Sequence, residues 1–139
     1  MGSVSTADLS VLVVDDHMIM RLHMRANLAR LGFTDIDEAA SSVEAEEKMA
    51  KKRYDILFLD WVMPGKSGYV LMQKYREIPA YNDVAFVMVT SQSEERNMVE
   101  AQKAGATAYI VKPVMPSVFQ SRIDPVLEWL DRVRPKKPE

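Results

Sequence analysis

Short strand-like apolar runs alternate with helix-like segments five times along this 139-residue chain, and that alternation leaves few folds open. Val11–Asp15 opens as a continuous apolar run rich in β-branched valine, the pattern of a strand buried on both faces. From Met18 to Leu31, Ile19, Leu22, Ala26 and Ala29 recur at helical spacing, and Gly32 supplies the expected cap. Thr34–Ala39 is a weaker strand whose alternating acids, Asp35 and Asp37, suit an edge. Ser42 is read as the cap of a helix to about Lys52, packed through Val43, Ala45, Met49 and Ala50. Ile56–Asp60 is the third strand and Ser67 to about Glu77 the third helix. Ala85–Thr90 follows as a strand, and Ser93-Glu94-Glu95-Arg96 opens a helix that stops at Gly105. Ala108–Val111 and a helix from about Pro116 to Val133 complete the series.

Five β–α units in strict alternation imply a parallel sheet with helices on both faces, because each crossover is right-handed. The weak second strand belongs at an edge beside the first, and the third, fourth and fifth extend the other way. The expected fold is therefore a doubly wound, flavodoxin-like α/β sheet of order 2-1-3-4-5 with five helices. Ligands of such sheets bind at the carboxyl ends of the strands, at the switch between the first and third.

Residues 1–9 are expected to be a flexible lead, 10–133 one domain, and 134–139 a disordered tail or cut linker. Pro125 falls inside the last helix, where it removes a hydrogen bond. Phe119, Ile123, Val126, Leu127, Leu130 and Val133 nevertheless keep one apolar face across it. A kink, or a restart capped by Asp124, is expected there.

Composition narrows the function. A net charge of -2 gives no support for direct nucleic-acid binding. The absence of cysteine removes disulfide and thiolate chemistry. No apolar run approaches the roughly 20 residues of a membrane span, and residues 1–10 do not resemble a signal peptide, so a cytoplasmic protein without membrane insertion is expected. His17 follows the acidic pair and could border a site there, but is expected as a solvated loop residue; His23 is expected as a surface residue, and the ten methionines as core filler.

The strand ends carry the chemistry. Asp60 ends the run Ile56-Leu57-Phe58-Leu59 just before a Pro64-Gly65 turn, where a carboxylate is costly to bury unless something pairs with it. Asp15-Asp16, Thr90 and Lys112 stand at three other strand ends. If the strand order holds, Asp15, Asp16 and Asp60 converge, and three carboxylates that close call for a cation. Oxygen ligands of this kind suit magnesium. Asp60 keeps an outward oxygen that can act as a nucleophile toward phosphorus, with Lys112 and Thr90 beside the phosphoryl oxygens.

These residues resemble the receiver domains of two-component response regulators. The similarity covers about residues 10–133 and rests on Asp15-Asp16, Asp60 followed by Met63-Pro64-Gly65, Thr90-Ser91 and Lys112-Pro113. Asp60-Trp61-Val62-Met63-Pro64 and Gly105-Ala106 before Tyr109-Ile110-Val111-Lys112-Pro113 look closest to the stand-alone chemotaxis type. The resemblance implies a phosphoprotein that accepts a phosphoryl group on Asp60 from a histidine kinase and is not otherwise an enzyme. It implies Mg2+ on Asp16 and Asp60, with Asp15 acting mainly through water and the Val62 carbonyl completing the ligands. Thr90 and Tyr109 match the switch pair, the ring moving inward as the hydroxyl turns to the phosphoryl group. The implied output is a target protein bound on the face of the fourth helix, fifth strand and fifth helix, with a phosphorylation-dependent dimer as another form of output.

Departures from that type fall at Val62, often polar, at Gln92, usually acidic, and at Val114, commonly aromatic. Val62 and Gln92 match the positions that line the path of the hydrolytic water, so they are read as tuning dephosphorylation. Two other readings stay open: a receiver cut from a longer regulator or hybrid kinase, and a phosphate sink in a phosphorelay. A hydrolase is disfavoured by the lack of a Gly-x-Ser-x-Gly elbow, and a nucleotide-binding domain by an acidic rather than glycine-rich first turn.

Overall fold

In the computed structural model, which describes residues 5–91 and 95–134, the strands are β1 (Ser10–Val14), β2 (Asp35–Ala39), β3 (Ile56–Leu59), β4 (Ala85–Thr90) and β5 (Ala108–Val111). The helices are α1 (Met18–Arg30), α2 (Ser42–Lys51), α3 (Gly68–Arg76), α4 (Glu95–Ala104) and α5 (Pro116–Val133). All strand pairs are parallel and the order is β2-β1-β3-β4-β5, as the alternation predicts. Gln92 and the expected start of α4 at Ser93 and Glu94 lie outside the described residues.

Strand side chains point alternately to the two faces, and the core divides accordingly. Val11, Val13, Ile56, Phe58, Val87 and Ile110 pack with α1 and α5, where Phe58 and Phe119 rings meet at 5.8 Å. Leu12, Val14, Leu57, Leu59, Phe86 and Met88 pack with residues of α2, α3 and α4. Each such side chain contributes about 1.5–3 kcal/mol by leaving water, so both faces are strongly determined. Buried Met24, Met49, Met63, Met72 and Met88 fill these cores as expected, whereas Met18 and Met115, at the starts of α1 and α5, are exposed and are not core filler.

Helix α1 departs from the expectation. Ile19, Leu22, Ala26 and Ala29 are all exposed, and the buried stripe is Met24, Asn27 and Leu28. Apolar residues run round more than one side of this helix, and distant charges set its rotation. Arg21 Nε and Arg25 Nε each stand 3.0 Å from a Glu38 carboxylate oxygen on β2. Arg21 Nη1 also donates to the Asp15 carbonyl at 2.7 Å, and Arg25 Nη2 to the Ile36 carbonyl at 2.8 Å.

In α2 the cap is Ser41 rather than Ser42: its hydroxyl accepts from Glu44 N at 3.1 Å, while Glu44 accepts from Ala40 N. With Ser41 in that role Ser42 is left free: it is buried and donates to the Lys66 carbonyl at 2.8 Å. Val43 and Ala50 are exposed, so Ala45 and Met49 make the packing contacts. The acids of β2 behave as edge acids should. Lys52 Nζ meets Asp35 at 2.7 Å and Asp37 at 3.0 Å, and the Tyr54 hydroxyl donates to Asp37 at 2.6 Å.

Residues expected in the flexible lead and tail are tied to the domain. Thr6–Asp8 form a single 3-10 turn, Thr6 Oγ1 donates to the Leu31 carbonyl at 2.7 Å, and Leu9 is buried. Arg134 pairs with Asp55 and donates to the Asp83 carbonyl. Helix α5 runs as one span through Pro125, without the restart at Asp124. Among the described residues no helix is long and apolar enough to cross a membrane.

Glu46 on α2 gathers the neighbouring helix and the loop before it. Lys66 Nζ and the Tyr75 hydroxyl each approach at 3.0 Å, and Lys74 joins them. Burial opposes ionisation of Glu46, but the hydrogen bonds from Lys74, Lys66 and Tyr75 outweigh it and hold the carboxyl at about 2. A depressed carboxyl contributes stability above its ordinary value of 4.5 and loses it as pH falls from there toward about 2. Urea unfolding of wild type and Glu46→Gln at pH 6 and pH 3 measures this. The wild type is expected to be the more stable at pH 6, with the gap narrowed at pH 3; an unchanged gap contradicts it.

Candidate functional site

At the carboxyl edge of the sheet the backbone ladder continues one bond past the strands. Asp15 N donates to the Ala39 carbonyl at 3.1 Å, Asp60 N to Val14 at 3.0 Å, and Lys112 N to Thr90 at 2.9 Å. Three functional residues are thereby fixed by the sheet itself, around the switch between β1 and β3. Lys112 reaches back from the end of β5. Its Nζ stands 2.8 Å from Asp15 Oδ2 and 3.4 Å from Asp60 Oδ2.

Asp15 and Asp60 are 5% and 6% exposed, so both carboxylates have lost most of their water. Burial pushes the Asp60 carboxyl above its ordinary value; Lys112 opposes that shift, Asp15 adds to it, and a bond from the Val62 backbone opposes it. Asp16 is less buried, yet its Oδ1 atom is shielded from solvent and accepts no hydrogen bond among the described residues. His17 completes the group. One ligand atom each from Asp15, Asp16, His17 and Asp60 lie within 4.8 Å of one another. Carboxylates outnumber the single lysine here, and the shielded Asp16 Oδ1 accepts no hydrogen bond among the described residues, having only the His17 Nδ1 contact at 3.2 Å. The donor set therefore fits a divalent cation.

The loop after β3 is built to hold Asp60. Ser67 caps α3 by accepting from Val70 N at 3.1 Å, and Gly68 N donates to the Trp61 carbonyl at 3.1 Å. Gly68 approaches so closely that a Cβ there would lie 2.0 Å from the Asp60 carbonyl oxygen. Gly65 turns the loop at φ +81°, and Met63 is buried while Val62 is 59% exposed. Ser42 and Glu46 grip Lys66 by its carbonyl and ammonium.

Beside Asp60, the Trp61 ring stacks on Tyr69 of α3 at 4.6 Å and 4°. The same indole meets Tyr109 of β5 edge-on at 6.2 Å and 72°. Tyr109 is buried, its hydroxyl pushed up by desolvation, so its ring lies inside in this structure.

The structure thus brings together Asp15, Asp16, Asp60 and Lys112. It places Thr90, 1% exposed, at the end of β4, leaves Val62 exposed in the loop, and puts Tyr109 behind Trp61. His17, read from the sequence as a solvated loop residue with bordering the site as the other reading, does both: it is exposed and carries Nδ1 to the acids at 3.3 and 3.2 Å. Its place directly after the acidic pair was the available signal. The Trp61–Tyr69 stack left none, since it depends on how α3 packs.

The family model described as response regulator receiver domain matches residues 11–124. Chemotaxis protein CheY1 of Helicobacter pylori is 37% identical over 120 residues, covering 86% of this chain and 97% of that protein. The chemotaxis protein CheY homolog of Campylobacter jejuni is 38% identical, over 86% and 92%. Among solved structures, the CheX-CheY-BeF3-Mg complex from Borrelia burgdorferi aligns with a TM-score of 0.78 and 27% identity, over 85% of this chain and 88% of that one.

Asp60 also sets a stability cost. Its folded value lies above the ordinary 3.8, so the cost is absent below 3.8, grows as pH rises through the window up to the folded value, and is complete above it. Asp60→Asn is expected to raise Tm by roughly a few °C at pH 7. Calorimetry at pH 7 and pH 3.5 checks it: the gain must shrink at the lower pH, and no gain at pH 7 contradicts it.

Proposed function

This chain belongs to the response regulator receiver family, CheY-type regulators of two-component signalling, and from that premise we propose that Asp60 accepts a phosphoryl group from a histidine kinase in a Mg2+-dependent reaction. The observation that carries this is the pairing of buried Asp60 with Lys112 inside a cluster of carboxylates. An Asp60 oxygen forms the new bond to phosphorus as the bond from phosphorus to the donor imidazole breaks, and the departing nitrogen keeps the electron pair, leaving a neutral imidazole whose proton is on its other nitrogen. Lys112 balances charge on the phosphoryl oxygens, and the Thr90 hydroxyl donates to one of them. Asp15, Asp16, Asp60 and the Val62 carbonyl are the candidate holders of Mg2+. When bound, the ion offsets the carboxylate charges and stabilises charge on the transferring group.

The phosphoryl group brings about -1.5 to -2 charges to this edge, and it shifts a two-state loop only through groups that contact it differently in the two states. Thr90 and Lys112 are those groups in this reading, with Tyr109 following Thr90. The output is binding of a target protein on the α4–β5–α5 face. Exposed, apolar Val62 fits the further reading that water is poorly activated beside the acyl phosphate, giving a long-lived signal.

Incubation with acetyl phosphate and Mg2+ followed by intact-mass measurement is expected to add one phosphoryl group to the wild type and none to Asp60→Ala. The same gain in the variant would overturn the assignment. For the lifetime, Val62→Asn is expected to speed loss of the phosphoryl group severalfold, as read by decay of the phosphorylated mass. An unchanged decay rate would sink the role given to Val62.

A further inference from the structure

We propose that His17 is a nitrogen ligand of the cation site, so that this chain prefers first-row transition ions such as Co2+ over Mg2+ by more than its carboxylates alone produce. The inference rests on the reading of the cluster as a divalent-cation site. His17 Nδ1 stands 3.3 Å from Asp15 Oδ1 and 3.2 Å from Asp16 Oδ1. Around an ion with bonds of about 2.0–2.1 Å, neighbouring ligand atoms lie roughly 2.8–3.0 Å apart in octahedral and about 3.3–3.4 Å apart in tetrahedral geometry. Both distances fall within that overall range, closer to its tetrahedral end.

The ring is carried there by backbone. His17 N donates to Asp15 Oδ1 at 2.9 Å, and the His17 carbonyl accepts from Arg21 N at 3.1 Å as α1 begins. The side chain is 67% exposed and is held at the acids by polar contact, Nδ1 lying within hydrogen-bond distance of Asp15 Oδ1, a contact that a bound cation would take over. The cluster also has two sides. Lys112 takes Oδ2 of Asp15 and of Asp60, whereas the imidazole faces Oδ1 of Asp15 and of Asp16. Asp16 Oδ1, the shielded oxygen that accepts no hydrogen bond among the described residues, is on the imidazole side.

Ligand chemistry turns that placement into selectivity. Mg2+ takes oxygen ligands and keeps waters, and gains little from an imidazole. Co2+ and its neighbours bind imidazole well, with affinity rising along the series. The chain has no cysteine and only two histidines, and the other, His23, is exposed in the middle of α1. An imidazole signature at the carboxylate cluster can thus be assigned by two substitutions.

Calorimetric titration with MgCl2 and with CoCl2, together with the visible absorption of bound Co2+, tests this on wild type, His17→Ala, His23→Ala and Asp16→Asn. In His17→Ala the ratio of Co2+ to Mg2+ affinity is expected to fall at least about tenfold, with a changed Co2+ spectrum. In His23→Ala both are expected to match the wild type. A wild-type ratio and spectrum in His17→Ala would overturn the inference, while continued Mg2+ binding would leave the carboxylate site standing. Binding of both ions unaffected by Asp16→Asn would overturn the two together, because the cation would then sit elsewhere.

Discussion

The contact between Lys112 and the two buried aspartates governs the carboxyl edge of the sheet. A single ammonium 2.8 Å from Asp15 and 3.4 Å from Asp60 lets both carboxylates be buried at the end of core strands. Without it, two desolvated like charges would face each other, a situation worth several kcal/mol in leaving one partner unpaired. One cation against three carboxylates is still a deficit. The edge is therefore held together but left short of positive charge, and that shortage makes it receptive to a divalent ion.

Everything around this contact serves its geometry. The ladder bonds that outrun β1, β3 and β5 fix the backbone of Asp15, Asp60 and Lys112 at three separate points. Gly68 lets α3 begin against the Asp60 carbonyl, and Ser42 and Glu46 brace the intervening loop from α2. Precision at the site is thus shared between the strands, the two neighbouring helices and the loop after β3 that they anchor.

What could be read from the sequence follows the range of the forces involved. Strand order was legible because alternation and right-handed crossovers are nearly local rules, and the weak, acidic β2 marks its own edge. The convergence of Asp15, Asp60 and Lys112 followed from that order. The face of α1 was not legible. Its apolar residues cover two stripes, and Arg21 and Arg25 choose between them by reaching Glu38 on another strand. The α2 cap was misplaced by one residue because Ser41 and Ser42 are chemically equal until Glu44 selects the first. The aromatic stack beside Asp60 needed three elements to meet, which no local pattern announces.

The position of Trp61 has a practical consequence. Of the chain's two tryptophans, one follows Asp60 directly and lies between Tyr69 and Tyr109, while the other, Trp129 on α5, lies 5.7 Å from the Arg76 guanidinium. A charge placed on Asp60 alters the electric field one residue from the first indole, and a shift of Tyr109 alters that indole's edge contact. Among the described residues the ring contact of Trp129 is with Arg76 alone. On the proposed phosphorylation of Asp60, the first indole is the one placed to report it, and fluorescence follows that change without an attached dye.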